Sequence, residues 1–178
     1  SAFYAGSVGK YAIEELCRIP VEADLASELR YRNPLVDEHT LLVVVSQSGE
    51  TADTIAAMKE CKARGARVLA IVNVVGSTIA KLADDVVYTW AGPEIAVATT
   101  KGYTTQVAVM DMLAVYLARR LGRLDDAQNK ELVDAILQFP SLIQRSIDLN
   151  PNLPALAEKY HSHNDVFFIG RNLDYAAS

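Results

Sequence analysis

The sequence predicts an open α/β fold: a mainly parallel sheet of about five strands with helices on both faces. Three observations carry that prediction. Residues 41–45 (L-L-V-V-V) are consecutive aliphatics with no polar alternation, the pattern of a central strand covered on both sides. They run into a short polar loop, S-Q-S-G-E, after which Ala52, Ile55, Met58, Lys59 and Lys62 separate apolar from charged residues at helical spacing. A second run, R-V-L-A-I-V at 67–72, follows Gly65 at an interval that fits a right-handed β-α-β crossover.

The elements follow in order. Phe3, Val8, Ala12, Ile13 and Leu16 mark an amphipathic helix over 1–16, which Pro20 breaks. Residues 21–25 are a short strand candidate and 27–32 a one-turn helix ended by Asn33-Pro34. Glu28, Arg30 and Arg32 there read more simply as a solvated or intersubunit charge cluster than as a site. The helix over 51–64 stops at Gly65, Ser77 is placed to cap a short helix through Leu82, and 86–88 is a brief strand. Gly92-Pro93 marks a turn before a long helix from about 100 to 121, with Val107, Met110, Ala114, Leu117 and Leu121 toward the sheet. Gly122 closes it. Leu132, Ile136, Phe139, Ile143 and Ile147 form a stripe in which Pro140 either kinks the helix or starts a new one. A last helix covers 153–160, and 166–169 has strand character.

Composition narrows the function. With 178 residues, 51% hydrophobic and 22% charged, the chain suits one domain with a sizeable core. The net charge of −5 argues against a nucleic-acid surface, so any bound phosphate must be held by local groups. Cys17 and Cys61 lie far apart without a C-x-x-C, as expected of buried thiols in a reducing compartment. No apolar run approaches 18 residues and no signal peptide is visible, so a cytoplasmic protein without a membrane partner is expected. His161 and His163 lack a convincing third ligand; no metal is expected.

In an open α/β sheet, ligands bind where strand ends meet helix N-termini, whose free N–H groups suit an anion. Ser46, Gln47, Ser48 and Thr51 each offer a side-chain hydrogen bond there, and Gly49 permits close backbone approach. No Lys or Arg falls between Ser46 and Ala57, and neither G-x-x-x-x-G-K-[ST] nor G-x-G-x-x-G occurs, so a small phosphate monoester fits better than a nucleotide. The plainer alternative is that Ser48 caps the helix and Thr51 sits in its first turn. Thr99 and Thr100 stand at a second helix start, with capping again the alternative, and Lys101 is expected to be solvated.

The loop S-Q-S-G-E-T-A-D-T resembles the phosphosugar-binding loop of SIS (sugar isomerase) domains. More narrowly, A-S-E-L-R-Y-R at 26–32, E-I-A-V-A-T-T-K-G-Y-T-T-Q at 94–106 and F-F-I-G-R-N-L-D-Y at 167–175 resemble the isomerase half of the glutamine–fructose-6-phosphate aminotransferase (glucosamine-6-phosphate synthase) family. The resemblance implies a flavodoxin-like three-layer sandwich. It also implies that a strand and a Cys-Gly pair precede residue 1, that 1–164 is a first SIS module, and that 165–178 opens a second. The last strand is then expected to pair with an open sheet edge. As substrate-binding residues it implies Ser1, Ser46, Gln47, Ser48, Thr51, Val97 and Thr99. Ala2 departs from a family hydroxyl position and loses that contact.

The resemblance further implies a homodimer acting on fructose 6-phosphate or glucosamine 6-phosphate without a cofactor. The family's glutaminase half, its second module and its catalytic carboxylate, lysine and histidine lie outside these residues. The chain alone is therefore expected to bind sugar phosphate and turn nothing over, with no catalytic residue of its own. Two other functions compete. A non-catalytic regulatory SIS module would carry a basic helix-turn-helix, which is not seen. A hydrolase using Ser46 or Ser48 would need G-x-S-x-G and an Asp/His pair.

Overall fold

The structure, a computed structural model, describes residues 1–95 and 99–178. Among the described residues three strands, β1 (Leu41–Ser46), β2 (Arg67–Val72) and β3 (Asp85–Tyr88), form one parallel sheet in the order β1-β2-β3. The register sets Ser46 opposite Val72 and Val72 opposite Tyr88, so all three strands end level at one edge. In chain order the helices are α1 (Ala2–Cys17), α2 (Ala26–Tyr31), α3 (Ala52–Ala63), α4 (Thr78–Leu82), α5 (Lys101–Arg120), α6 (Asp126–Leu137), α7 (Phe139–Asp148), α8 (Leu153–Tyr160) and α9 (Leu173–Ala177).

The pleat assigns the layers. Val43, Val45 and Ile71 join Ile13 and Cys17 of α1 and Val109, Met110 and Ala114 of α5 in one core. Val44, Val68, Ala70 and Val72 point the other way, onto Ile55 and Met58 of α3 and Ile79 of α4. The expected α/β sandwich is therefore present. Gly9 brings α1 close to α5: a Cβ there would lie 2.0 Å from Met110 Cε, so no larger residue fits without movement. Cys17 Sγ donates to Ala114 O at 3.5 Å. These contacts ascend together along both helices, so α1 and α5 run in the same sense and start at the same end.

On the other face, Lys62 Nζ donates to Asp84 Oδ1 at 2.6 Å and to Leu82 O at 2.8 Å, while Asp84 Oδ2 accepts from the Val68 N–H at 2.8 Å. One carboxylate thus ties α3 to the entry of β3 and the edge of β2. Lys62, with help from that N–H, holds the Asp84 carboxyl below the ordinary aspartate value.

Two of the five expected strands are not strands. In 21–25 the backbone donors are taken by side chains, Val21 N–H by Glu14 Oε1 at 3.0 Å and Leu25 N–H by Asp24 Oδ1 at 2.9 Å. Residues 166–169 have no ladder partner among the described residues and are 69–93% exposed, with Phe168 and Ile169 near Phe3 and Tyr4 of α1. Pro140 starts a new helix: it sits in the first turn of α7, where a missing N–H costs nothing. The long stripe across it divides there. Leu132 and Ile136 pack against the core, whereas Ile143 and Ile147 remain exposed.

Candidate functional site

The site is built from the level ends of the strands. β1 closes at Ser46, and the chain turns through Gln47–Glu50 into α3. Ser46 Oγ is buried and accepts from the Gly49 N–H at 3.0 Å; Ser48 Oγ accepts from the Glu50 N–H at 3.2 Å. Each hydroxyl oxygen is an acceptor inside the loop, which leaves its proton free for another acceptor.

The loop is fastened from below by the β2–α4 connection. Gln47 O accepts from Asn73 N–H at 3.3 Å, Gly49 O from Ile79 N–H at 3.0 Å, and Glu50 Oε1 from Thr78 N–H at 2.8 Å. Hydrogen bonds from the Thr78 hydroxyl and N–H hold the Glu50 carboxyl below the usual glutamate value. Glu50 thereby braces the loop against α4. Gly49 has φ +67°, and a Cβ on it would fall 2.1 Å from Ser77 Oγ, so the loop rests directly on that serine.

At the starts of α3 and α5, neither N-cap side chain caps its helix among the described residues. The N-cap of α3 is Thr51, which makes no side-chain cap bond, and its first ladder bond is Ile55 N–H to Thr51 O at 3.0 Å. The N–H groups before Ile55 therefore lack an intrahelical acceptor. The capping alternative does not hold: Ser48 bonds two residues on rather than capping α3, and Thr51 precedes the first turn. Thr100 is the N-cap of α5 and likewise makes no side-chain cap bond. Asp53, in the first turn of α3, would repel an anion, but Arg30 Nη1 of α2 pairs with its carboxylate at 2.5 Å. Arg32, just past α2, pairs with Glu22 and Asp24 at 2.7 and 2.9 Å, so these arginines are in ion pairs, while Glu28 of the expected cluster makes none among the described residues.

The loop that leads into α3 meets the start of α5. A Cβ on Gly102, in the first turn of α5, would lie 2.9 Å from both Gln47 Oε1 and Thr99 Cγ2. The loop after β1 and the start of α5 thus form one surface, with Gln47 and Thr99 in contact range of the same glycine. Ser1 is the N-cap of α1, again without a side-chain cap bond. It stands at the start of α1, which points the same way along the layer as the start of α5. Val97 lies outside the described residues. Lys101 is exposed, as expected.

Residues 1–116 match the SIS domain family. The chain belongs to that family. Among curated relatives, this SIS chain is 58% identical over 178 residues to the glutamine–fructose-6-phosphate aminotransferase [isomerizing] of Symbiobacterium thermophilum, and 53% identical to that of Clostridium tetani. Both matches cover the whole chain and 29% of the relative, so the chain spans under a third of their length. The C-terminal domain of glucosamine-fructose-6-phosphate aminotransferase from Francisella tularensis superposes with a TM-score of 0.95 at 31% identity, over 98% of this chain and 50% of that one.

Buried polar atoms without a described partner gather at or near this edge, on Gln47, which the sequence already marks for the site, and on Ser77 and Gln106, which it does not. Ser77 Oγ, Gln47 Oε1 and both side-chain polar atoms of Gln106 have no hydrogen-bond partner among the described residues. Gln106 was the hardest to see, because a glutamine in a long helix reads as a surface residue. Its signal was spacing: Gly102, Gln106, Val109, Met110 and Ala114 keep three/four steps and are all buried. That face replaces the predicted one in part, since Leu121 lies past the helix end and is half exposed.

Proposed function

We propose that this SIS chain is the phosphosugar-binding part of the isomerase domain of an isomerising glutamine–fructose-6-phosphate aminotransferase, and that it binds fructose 6-phosphate or glucosamine 6-phosphate. The observation that carries the reading is the contact of the loop entering α3 with the start of α5, at Gln47, Thr99 and Gly102. Free N–H groups at two N-termini attract one anion, and Ser46, Ser48, Thr51 and Thr99 supply neutral donors for its oxygens. With Asp53 paired to Arg30 and no cation in the loop, the site suits a dianionic monoester without a metal. Ser1 and Val97 complete the proposed set.

The whole enzyme takes ammonia from glutamine and moves a proton between the first two carbons of the opened sugar, a step that needs a placed base and acid. In this chain Glu50 is held as a structural brace, and His39 precedes β1 at the edge opposite the loop. The chain by itself therefore binds, and residues elsewhere in the enzyme do the chemistry. The 50% coverage of the Francisella domain supports 1–164 as one of two SIS modules, with 165–178 opening the second. A homodimer in the cytoplasm completes the proposal. No described helix is long and apolar enough to cross a membrane.

Calorimetric titration tests the site. Fructose 6-phosphate is expected to bind and fructose to bind far more weakly; equal affinities would refute a phosphate cradle. The Ser46→Ala, Ser48→Ala double variant should lose about 1–3 kcal/mol of binding, the usual cost of leaving polar groups unpaired.

A further inference from the structure

Gln106 is fully buried in α5, yet neither its Nε2 nor its Oε1 has a partner among the described residues. A buried amide left so is costly, and native structures rarely keep one without a purpose. Its placement shows what it can reach. Helical side chains lean toward the N-terminus over the residue four positions earlier, so the Gln106 side chain is directed back along the Gly102 face. That is the face against which Gln47 rests, and Gln47 Oε1 is itself buried and unpaired. A donor lacking an acceptor and an acceptor lacking a donor thus share one helix face.

Resting on the proposed function, we infer that Gln106 is a positioning residue for the sugar-phosphate loop. When the loop is occupied, its Nε2–H donates to Gln47 Oε1. That bond fixes the rotation of the Gln47 carboxamide, so the Gln47 NH₂ turns outward as a donor to a phosphate or sugar oxygen. Gly102 is part of the device, because any Cβ there would meet Gln47 at 2.9 Å and close the gap between the two amides. Gln106 itself does not touch the ligand.

The test compares wild type with Gln106→Met, which keeps the length of the side chain and removes both polar atoms. Met should fold with a melting temperature equal to or above wild type, since no unpaired amide remains buried. It should bind fructose 6-phosphate about five- to thirtyfold more weakly, the effect of one unmade hydrogen bond. In a cycle with Gln47→Ala the two losses should be non-additive. A second readout holds even if Met misfolds: in wild type the assigned side-chain amide resonances of both Gln47 and Gln106 should shift on adding fructose 6-phosphate. Wild-type binding with an unchanged Gln106 resonance, or with unchanged affinity in a folded Gln106→Met, would overturn the inference alone. No binding by wild type would overturn the site reading and this inference together.

Discussion

Gly49→Ala is the most incisive perturbation of the loop. The position has φ +67°, where a residue with a Cβ is strained by about 1–2 kcal/mol. The added Cβ would also lie 2.1 Å from Ser77 Oγ and 2.6 Å from Ser77 Cβ. Neither contact is tolerable, so the loop or the start of α4 must move, at the roughly 1–3 kcal/mol typical of overpacking. Together the variant should lose about 2–5 kcal/mol, against the 5–15 kcal/mol of a typical domain. The steric part has its own control. Gly49→Ala, Ser77→Gly removes both close contacts and should recover all but the backbone term, relative to Ser77→Gly alone. Urea denaturation gives the stabilities, and fructose 6-phosphate titration shows whether the displaced loop still binds. A Gly49→Ala protein within about 0.5 kcal/mol of wild type, the ordinary spread of surface substitutions, would refute the reasoning.

The carboxyl of Asp84 is held low by Lys62, so its contribution is present above the ordinary aspartate value, 3.8, and is lost as pH falls below it toward the depressed folded value. Asp84→Asn should therefore flatten the acid limb of a stability–pH profile measured between pH 5 and 2. Cys17 and Cys61 are buried free thiols whose pKa values burial raises; both should resist a thiol reagent at pH 8 in native protein and react fully in denaturant, as measured by absorbance.

Most of the architecture was legible because it rests on local signals. Val43, Val44 and Val45 do form a strand with helices on both faces, although it is an edge of the described sheet and β2, not β1, is its centre; the Ala52–Ala63 and Lys101–Arg120 helices follow apolar spacing with clear stops. The misread stretches share a different cause. At 21–25 the residues suit a strand, but Glu14 and Asp24 capture the donors that a ladder would use. At 166–169 the side chains are strand-like, yet a strand exists only beside another, and these residues pair with none of the described strands. Within the site, the loop was visible as a run of small polar residues. Its support was not: Ser77 beneath Gly49, Thr78 on Glu50 and Arg30 on Asp53 join residues 23 to 28 positions apart, and periodicity carries no trace of such pairs.

Gln47 and Gly102 stand 55 positions apart in sequence, and the three-stranded sheet is completed between them. A chain emerging during synthesis makes the loop and its brace early, from contiguous β-α-β pieces. The opposing wall arrives only when α5 docks across the finished sheet. Ligand uptake by folding intermediates should therefore trail the appearance of secondary structure, and bound sugar phosphate should slow unfolding wherever release of α5 comes first.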